Sequence, residues 1–144
     1  MTTDTRGPSV TPGPPVALEV RIAAHPEIVF PYLVEPAQIV RWMGEEARID
    51  ATVGGQFWLR VAGDDVAVGE YVSIDPPKQV VITWGWERSD EVPPGSSTVT
   101  FDLRADGDDT VMSLTHTGLP SEWCERHYEG WQYHLPHLQQ VAGT

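Results

Sequence analysis

The chain has a single cysteine, Cys124, among its 144 residues, so an internal disulfide is excluded. It also lacks any apolar stretch long enough for a secretory signal or a membrane span, and a cytoplasmic protein is expected. Basic residues are scarce: 9 Lys and Arg stand against 21 Asp and Glu, a formal net charge of -12. Such a charge repels phosphate backbones and anionic lipid surfaces, so nucleic acid is not an expected partner. The acidic clusters Asp64-Asp65 and Asp106-Gly107-Asp108-Asp109 lack the spaced ladder of oxygens that a calcium loop needs, and read as solvated turns. No Gly-x-Ser-x-Gly turn, phosphate-cradling glycine loop or dinucleotide fingerprint is present, and Val53-Gly54-Gly55 reads as a hairpin glycine pair. No cofactor is implied. His127, His134 and His137 share a C-terminal helical segment. Pro136 interrupts the turn joining the last two and no carboxylate completes a ligand set, so solvated histidines rather than a metal site are expected.

The chain does have an ordinary globular composition, with 40% hydrophobic and 9% aromatic residues, at a length that suits one domain. Residues 1–15 contain Pro8, Pro12, Pro14 and Pro15 without an apolar period, and read as a disordered tail before a single domain over 16–144. Val16, Leu18, Val20 and Ile22 alternate with polar residues, as in a half-buried strand. His25-Pro26-Glu27 then opens a short helix, and Pro36 opens a second. From 46 to 117, turn signals separate six strand candidates near 46–53, 56–62, 66–74, 79–87, 97–104 and 109–117. After Pro120, Ser121 is placed to cap a helix reaching about Val141, whose Cys124, Tyr128, Trp131, Leu135 and Leu138 form one apolar stripe. Pro136 lies inside this helix and should bend it. The pattern is α+β: seven strands forming a curved antiparallel sheet around a long terminal helix, with two short helices after the first strand.

Several motifs occur in order: Arg21 to Phe30 (Arg-Ile-Ala-Ala-His-Pro-Glu-Ile-Val-Phe), Arg41-Trp42-Met43-Gly44, Val53-Gly54-Gly55-Gln56-Phe57, Asp75-Pro76-Pro77 with Thr83-Trp84, His116-Thr117-Gly118-Leu119-Pro120, and Gly130-Trp131 with Leu135 and Leu138. The series resembles the homologues of the heat-shock protein 90 ATPase activator, within the START-like (SRPBCC) superfamily, over about residues 18–140. The resemblance implies a helix-grip fold with a cavity between sheet and terminal helix. Members of that superfamily bind lipids, hormones and polyketides, and a few catalyse cyclisation or dehydration. The eukaryotic founders of the family act on a chaperone through a further domain that this sequence does not contain, so chaperone activation does not transfer.

Val80, Ile82, Trp84 and Trp86 alternate along one strand, so one face carries two indoles with Gly85 between them. These plates either fill the core or wall a cavity together with Met112, Tyr128, Trp131 and Leu135. Phe30 and Trp42, on the short helices, are placed to shape a cavity mouth. Glu70 shares a strand face with Val66, Val68 and Val72; it either faces the cavity as a polar handle or stands in water while Ala67, Gly69 and Tyr71 turn inward. His116 either meets a ligand or anchors the strand-to-helix turn by a hydrogen bond. Cys124 reads as a small buried hydrophobe. The leading expectation is a non-enzymatic binder of a small apolar or aromatic molecule. The alternatives are a cyclase or dehydratase using His116 or Glu70 on a polyketide-like substrate, and a module assisting a chaperone or another protein.

Overall fold

The structure, a computed structural model, describes residues 13–143. The proposed disordered tail lies outside the described residues except for Gly13, Pro14 and Pro15. The Gly13 amide donates to the Leu119 carbonyl at 2.9 Å.

The first strand, β1 (Val16–Ile22), is followed by three single helical turns, α1 (Pro26–Val29), α2 (Pro31–Val34) and α3 (Pro36–Ile39). Sequence reading expects two helices here, and the physical reason for three is proline. Each turn begins on one, because a residue without an amide donor fits only at a helix start. Six strands follow: β2 (Glu46–Ile49), β3 (Gln56–Ala62), β4 (Asp65–Asp75), β5 (Gln79–Trp84), β6 (Ser97–Asp106) and β7 (Asp109–Thr117). All seven strands form one sheet in the order β1-β7-β6-β5-β4-β3-β2, with every neighbouring pair antiparallel. The two acidic clusters fall at the β3–β4 and β6–β7 turns, and Arg21 bonds to both Asp106 and Asp109 beside the latter.

Two strands end earlier than expected. β2 stops at Ile49 because the chain turns at Asp50–Gly55, where the Thr52 amide donates to the Asp50 carbonyl and the Gly55 amide to the Thr52 carbonyl. β5 stops at Trp84 because Gly85 presses against another segment: a Cβ there would lie 1.8 Å from the Pro93 carbonyl oxygen. Beyond Gly85 the chain pairs elsewhere, Trp86 bridging to Ala67 and donating its amide to the Val92 carbonyl at 2.7 Å. A glycine is required at this crossing.

The last helix, α4 (Ser121–Ala142), lies over the inner face of the sheet and is continuous through the exposed Pro136. Its N-cap is Pro120, without a side-chain cap, so Ser121 is the first helical residue rather than the cap. The buried stripe is His127, Trp131, Leu135, Leu138 and Ala142. Tyr128, expected inside, is 39% exposed, and His127 takes the inward place. Beneath the helix, Ile82, Val99, Phe101, Met112, Leu114 and Trp84 form the centre of the core.

Candidate functional site

Four of the six tryptophans meet at one end of the helix–sheet interface. Trp84 ends β5, Trp86 follows the Gly85 crossing, and Trp123 and Trp131 lie on α4. The ring centroids of Trp84 are 5.4 Å from those of Trp86 and 5.2 Å from those of Trp131. These indoles, with Met43, Val61 and Val66, wall a cavity of about 460 Å³ that opens between the β3–β4 turn and α4. Its rim carries Asp64, Asp65, Glu87, Arg88 and Arg126.

The helical wall consists of Trp123, Arg126, His127, Gly130, Trp131 and His134, a set spaced by three or four residues and therefore on one face of α4. Gly130 sits in the middle of it. A Cβ at that position would meet no atom within 4 Å, so the helix face has a gap where any other residue would put a side chain.

Two histidines, His127 in the cavity wall and His116 behind it, are held by indoles. Trp131 Nε1–H donates to His116 Nδ1 at 3.1 Å; His116 Nε2 lies 2.8 Å from Ser97 Oγ, which donates to the Trp84 carbonyl at 2.7 Å. An indole nitrogen only donates, so His116 Nδ1 carries the lone pair, Nε2–H faces the serine, and the ring is neutral. Burial, with the nearby His127 as a smaller contribution, pushes its pKa down to about 3. His127 is fixed the same way in mirror form: Trp86 Nε1–H donates to its Nε2 at 3.0 Å, and its Nδ1–H donates to the Trp123 carbonyl at 2.9 Å. Burial lowers its pKa despite the opposing effect of that backbone bond. The expectation of solvated histidines is therefore corrected at His127, which is 6% exposed because Trp86 gives it a partner inside.

The expected site residues divide clearly. Trp84, Trp86 and Trp131 line the cavity. Phe30, Trp42, Met112 and Leu135 are core residues, and Trp42 spends its indole N–H on the Tyr32 carbonyl at 2.8 Å. His116 is wholly buried, with both ring nitrogens bonded to protein, and so serves the anchoring role rather than facing a ligand. Tyr128 is on the outer side of α4. Glu70 is exposed, because the inward place next to it belongs to Tyr71, whose hydroxyl donates to the Leu33 carbonyl at 2.9 Å. Sequence reading passed over Met43, Trp123 and Gly130, and read His134 as solvated, whereas its Nδ1 is enclosed by protein. The helical spacing of 123, 127, 130, 131 and 134 is the signal that finds most of them.

Only two buried side-chain polar atoms among the described residues have no hydrogen-bond partner, Trp84 Nε1 and His134 Nδ1, and both belong to residues that line this cavity. Burial also lowers the His134 pKa, against a smaller opposing effect from the Trp42 backbone. No group of three or more His, Cys, Asp or Glu side chains able to hold a metal occurs among the described residues. No described helix is long and apolar enough to cross a membrane.

Residues 23–143 match the family described as Activator of Hsp90 ATPase homolog 1-like protein. No curated protein matches the chain. Among solved structures, it is similar to the AHSA1-like protein of Rhizobium etli at 40% identity, over 90% of this chain and 81% of that one, with a TM-score of 0.71. It is similar to CalU16 of Micromonospora echinospora at 26% identity, over 89% and 75%, with a TM-score of 0.74. An HSP90 activator from Plasmodium falciparum is 25% identical over 90% of this chain and 96% of that one, with a TM-score of 0.73. These structures share the helix-grip arrangement of curved sheet and terminal helix. The motif order, the fold and the match over most of the described chain agree: the chain belongs to the Activator of Hsp90 ATPase homolog 1-like family.

Proposed function

We propose that this protein binds a small apolar or aromatic molecule in the cavity under the first half of α4, without transforming it. The observation that carries the reading is the gap at Gly130, in a cavity of about 460 Å³ walled by Trp84, Trp86, Trp123 and Trp131. Small-molecule sites span roughly 300–1,000 Å³ and are lined by aromatic and apolar side chains, as this one is. Covering a few hundred Å² of apolar ligand at ~25 cal/mol per Å² contributes several kcal/mol before association costs.

The chemistry favours binding over catalysis. His116 and His127 are the histidines nearest the indoles, and each is neutral with both ring nitrogens committed to protein groups. A general acid or base needs a nitrogen free to meet substrate, and the one unpaired histidine nitrogen of the cavity wall, His134 Nδ1, is closed off by the surrounding protein. Titration with 2-ethylnaphthalene, followed by tryptophan fluorescence, tests the reading. Saturable quenching in the micromolar range is expected, and quenching that rises linearly without saturation would contradict it.

A further inference from the structure

The hydrogen bond from Trp86 Nε1–H to His127 Nε2, 3.0 Å long, joins the segment after β5 to α4, and both residues line the cavity. Its two partners are held very differently. His127 is fixed from its own helix: Nδ1–H donates to the Trp123 carbonyl at 2.9 Å, and that nitrogen is a donor whether the ring is neutral or protonated. Trp86 stands beyond the Gly85 crossing, outside β5, and is only half-buried. Its backbone is pinned by the bridge to Ala67 and the amide bond to the Val92 carbonyl, but its indole nitrogen has no partner other than His127 among the described residues.

The bond exists only while His127 Nε2 keeps its lone pair. A proton added there makes it a second donor, and two N–H groups facing each other at 3.0 Å repel. The histidine cannot turn away without giving up the Trp123 carbonyl, so the indole is the partner that moves.

Titratable and charged groups reach this ring from four parts of the chain. His116 on β7 lies against it, ring centroids 5.1 Å apart, and is neutral with both nitrogens bonded. Asp64 and Asp65 at the β3–β4 turn, Glu87 and Arg88 beside Trp86, and Arg126 and His134 on α4 share the cavity with it. The two ring nitrogens bond only to Trp86 and Trp123, so no carboxylate holds the ring charged in the closed state. Water entering where the indole leaves would accommodate the proton, beside three carboxylates that favour it.

We propose that the Trp86–His127 pair is a proton-operated latch: with His127 neutral the indole closes this wall, and with His127 protonated it swings off α4 and opens the cavity, releasing an apolar molecule held there. The release rests on the cavity reading above, whereas the motion of the indole does not. Burial holds the pKa of the ring below its ordinary value, so the latch is closed at neutral pH and opens in acid.

Nitrogen–proton correlation and histidine-ring spectra of the wild-type protein between pH 7.5 and 4.5 test it. The Trp86 indole N–H, identified by its absence from Trp86→Phe, is expected to move upfield with the same midpoint as the His127 ring. One pH unit below that midpoint about a tenth of the molecules keep the closed wall, so 2-ethylnaphthalene is expected to bind about tenfold more weakly than at pH 7.5. In His127→Gln the side-chain oxygen accepts the indole N–H at every pH, and both responses are expected to disappear. Trp86→Phe lacks the donor that favours the neutral ring and is expected to raise the His127 midpoint. Should His127→Gln fail to fold, the shared midpoint in the wild type and the raised midpoint in Trp86→Phe carry the test. A His127 ring that titrates while the Trp86 resonance stays still, or global unfolding before that resonance moves, overturns the latch. Equal loss of binding in acid by the wild type and a folded His127→Gln overturns the release. Absence of saturable binding at every pH overturns the cavity reading and the release with it, while the Trp86 resonance still decides the latch.

Discussion

Trp131 Nε1 sits 3.1 Å from His116 Nδ1, and because an indole N–H only donates, this contact fixes the histidine as a neutral ring with its proton on Nε2. The bond ties α4 to β7, and through Ser97 and the Trp84 carbonyl it continues to β6 and β5. One chain of three hydrogen bonds thus holds the helix over the sheet at the back of the cavity. Protonating His116 would set two N–H groups against each other at Nδ1.

Acid should therefore unfold this protein earlier than its carboxylates alone require. The folded-state pKa of His116 is depressed to about 3, whereas the unfolded ring titrates near 6.5. Below the unfolded value the unfolded chain takes up a proton that the folded ring refuses, so stability is fully present above about pH 6.5. It falls by up to about 1.4 kcal/mol per pH unit toward pH 3. His127 and His134 are shifted in the same direction and add to the slope. Urea denaturation between pH 7.5 and 4.5 measures it, and His116→Gln, though less stable at neutral pH, should show a shallower dependence.

Trp131→Phe keeps most of the ring volume but removes the donor, leaving His116 Nδ1 buried without a partner. The expected loss is about 1–3 kcal/mol at pH 7 by denaturant unfolding, with little change in the denaturant dependence.

Gly85→Ala should be far more damaging than its single methyl suggests. The added carbon would stand 1.8 Å from the Pro93 carbonyl oxygen and 2.4 Å from its carbon, both backbone atoms. A loss of about 2 kcal/mol or more is expected, because the segment carrying Trp86 must move away from Ala67. Thermal unfolding together with the Trp86 fluorescence environment reads both effects.

Gly130→Ala should do the opposite. The new methyl points into open space inside a helix, so stability rises by about 0.5–1 kcal/mol through reduced freedom of the unfolded chain. A glycine whose replacement stabilises the fold is kept for something other than folding.

Much of this architecture can be read from the chain by physical rules. Alternation finds the strands, proline and glycine find the turns, and the ordered motifs point to the family. The choices between adjacent residues are harder, because they depend on partners distant in sequence. Tyr128 and His127 are neighbours on α4, and hydrophobicity favours the tyrosine. The histidine is buried because Trp86, 41 residues earlier, donates to it. Glu70 and Tyr71 are decided likewise by the Leu33 carbonyl, 38 residues away. Gly130 offers no pattern in one dimension, and its importance depends on which helix face meets the sheet. Trp84 and Trp86 were legible as a pair, but whether their nitrogens find partners depends on geometry across four elements.

The most direct test of the account is a fluorescence titration with 2-ethylnaphthalene comparing the wild-type protein with Gly130→Phe, whose ring occupies the gap in the α4 wall. The account predicts saturable micromolar binding by the wild type and at least tenfold weaker binding by a Gly130→Phe protein that still unfolds cooperatively. Equal affinity in the two proteins would contradict it.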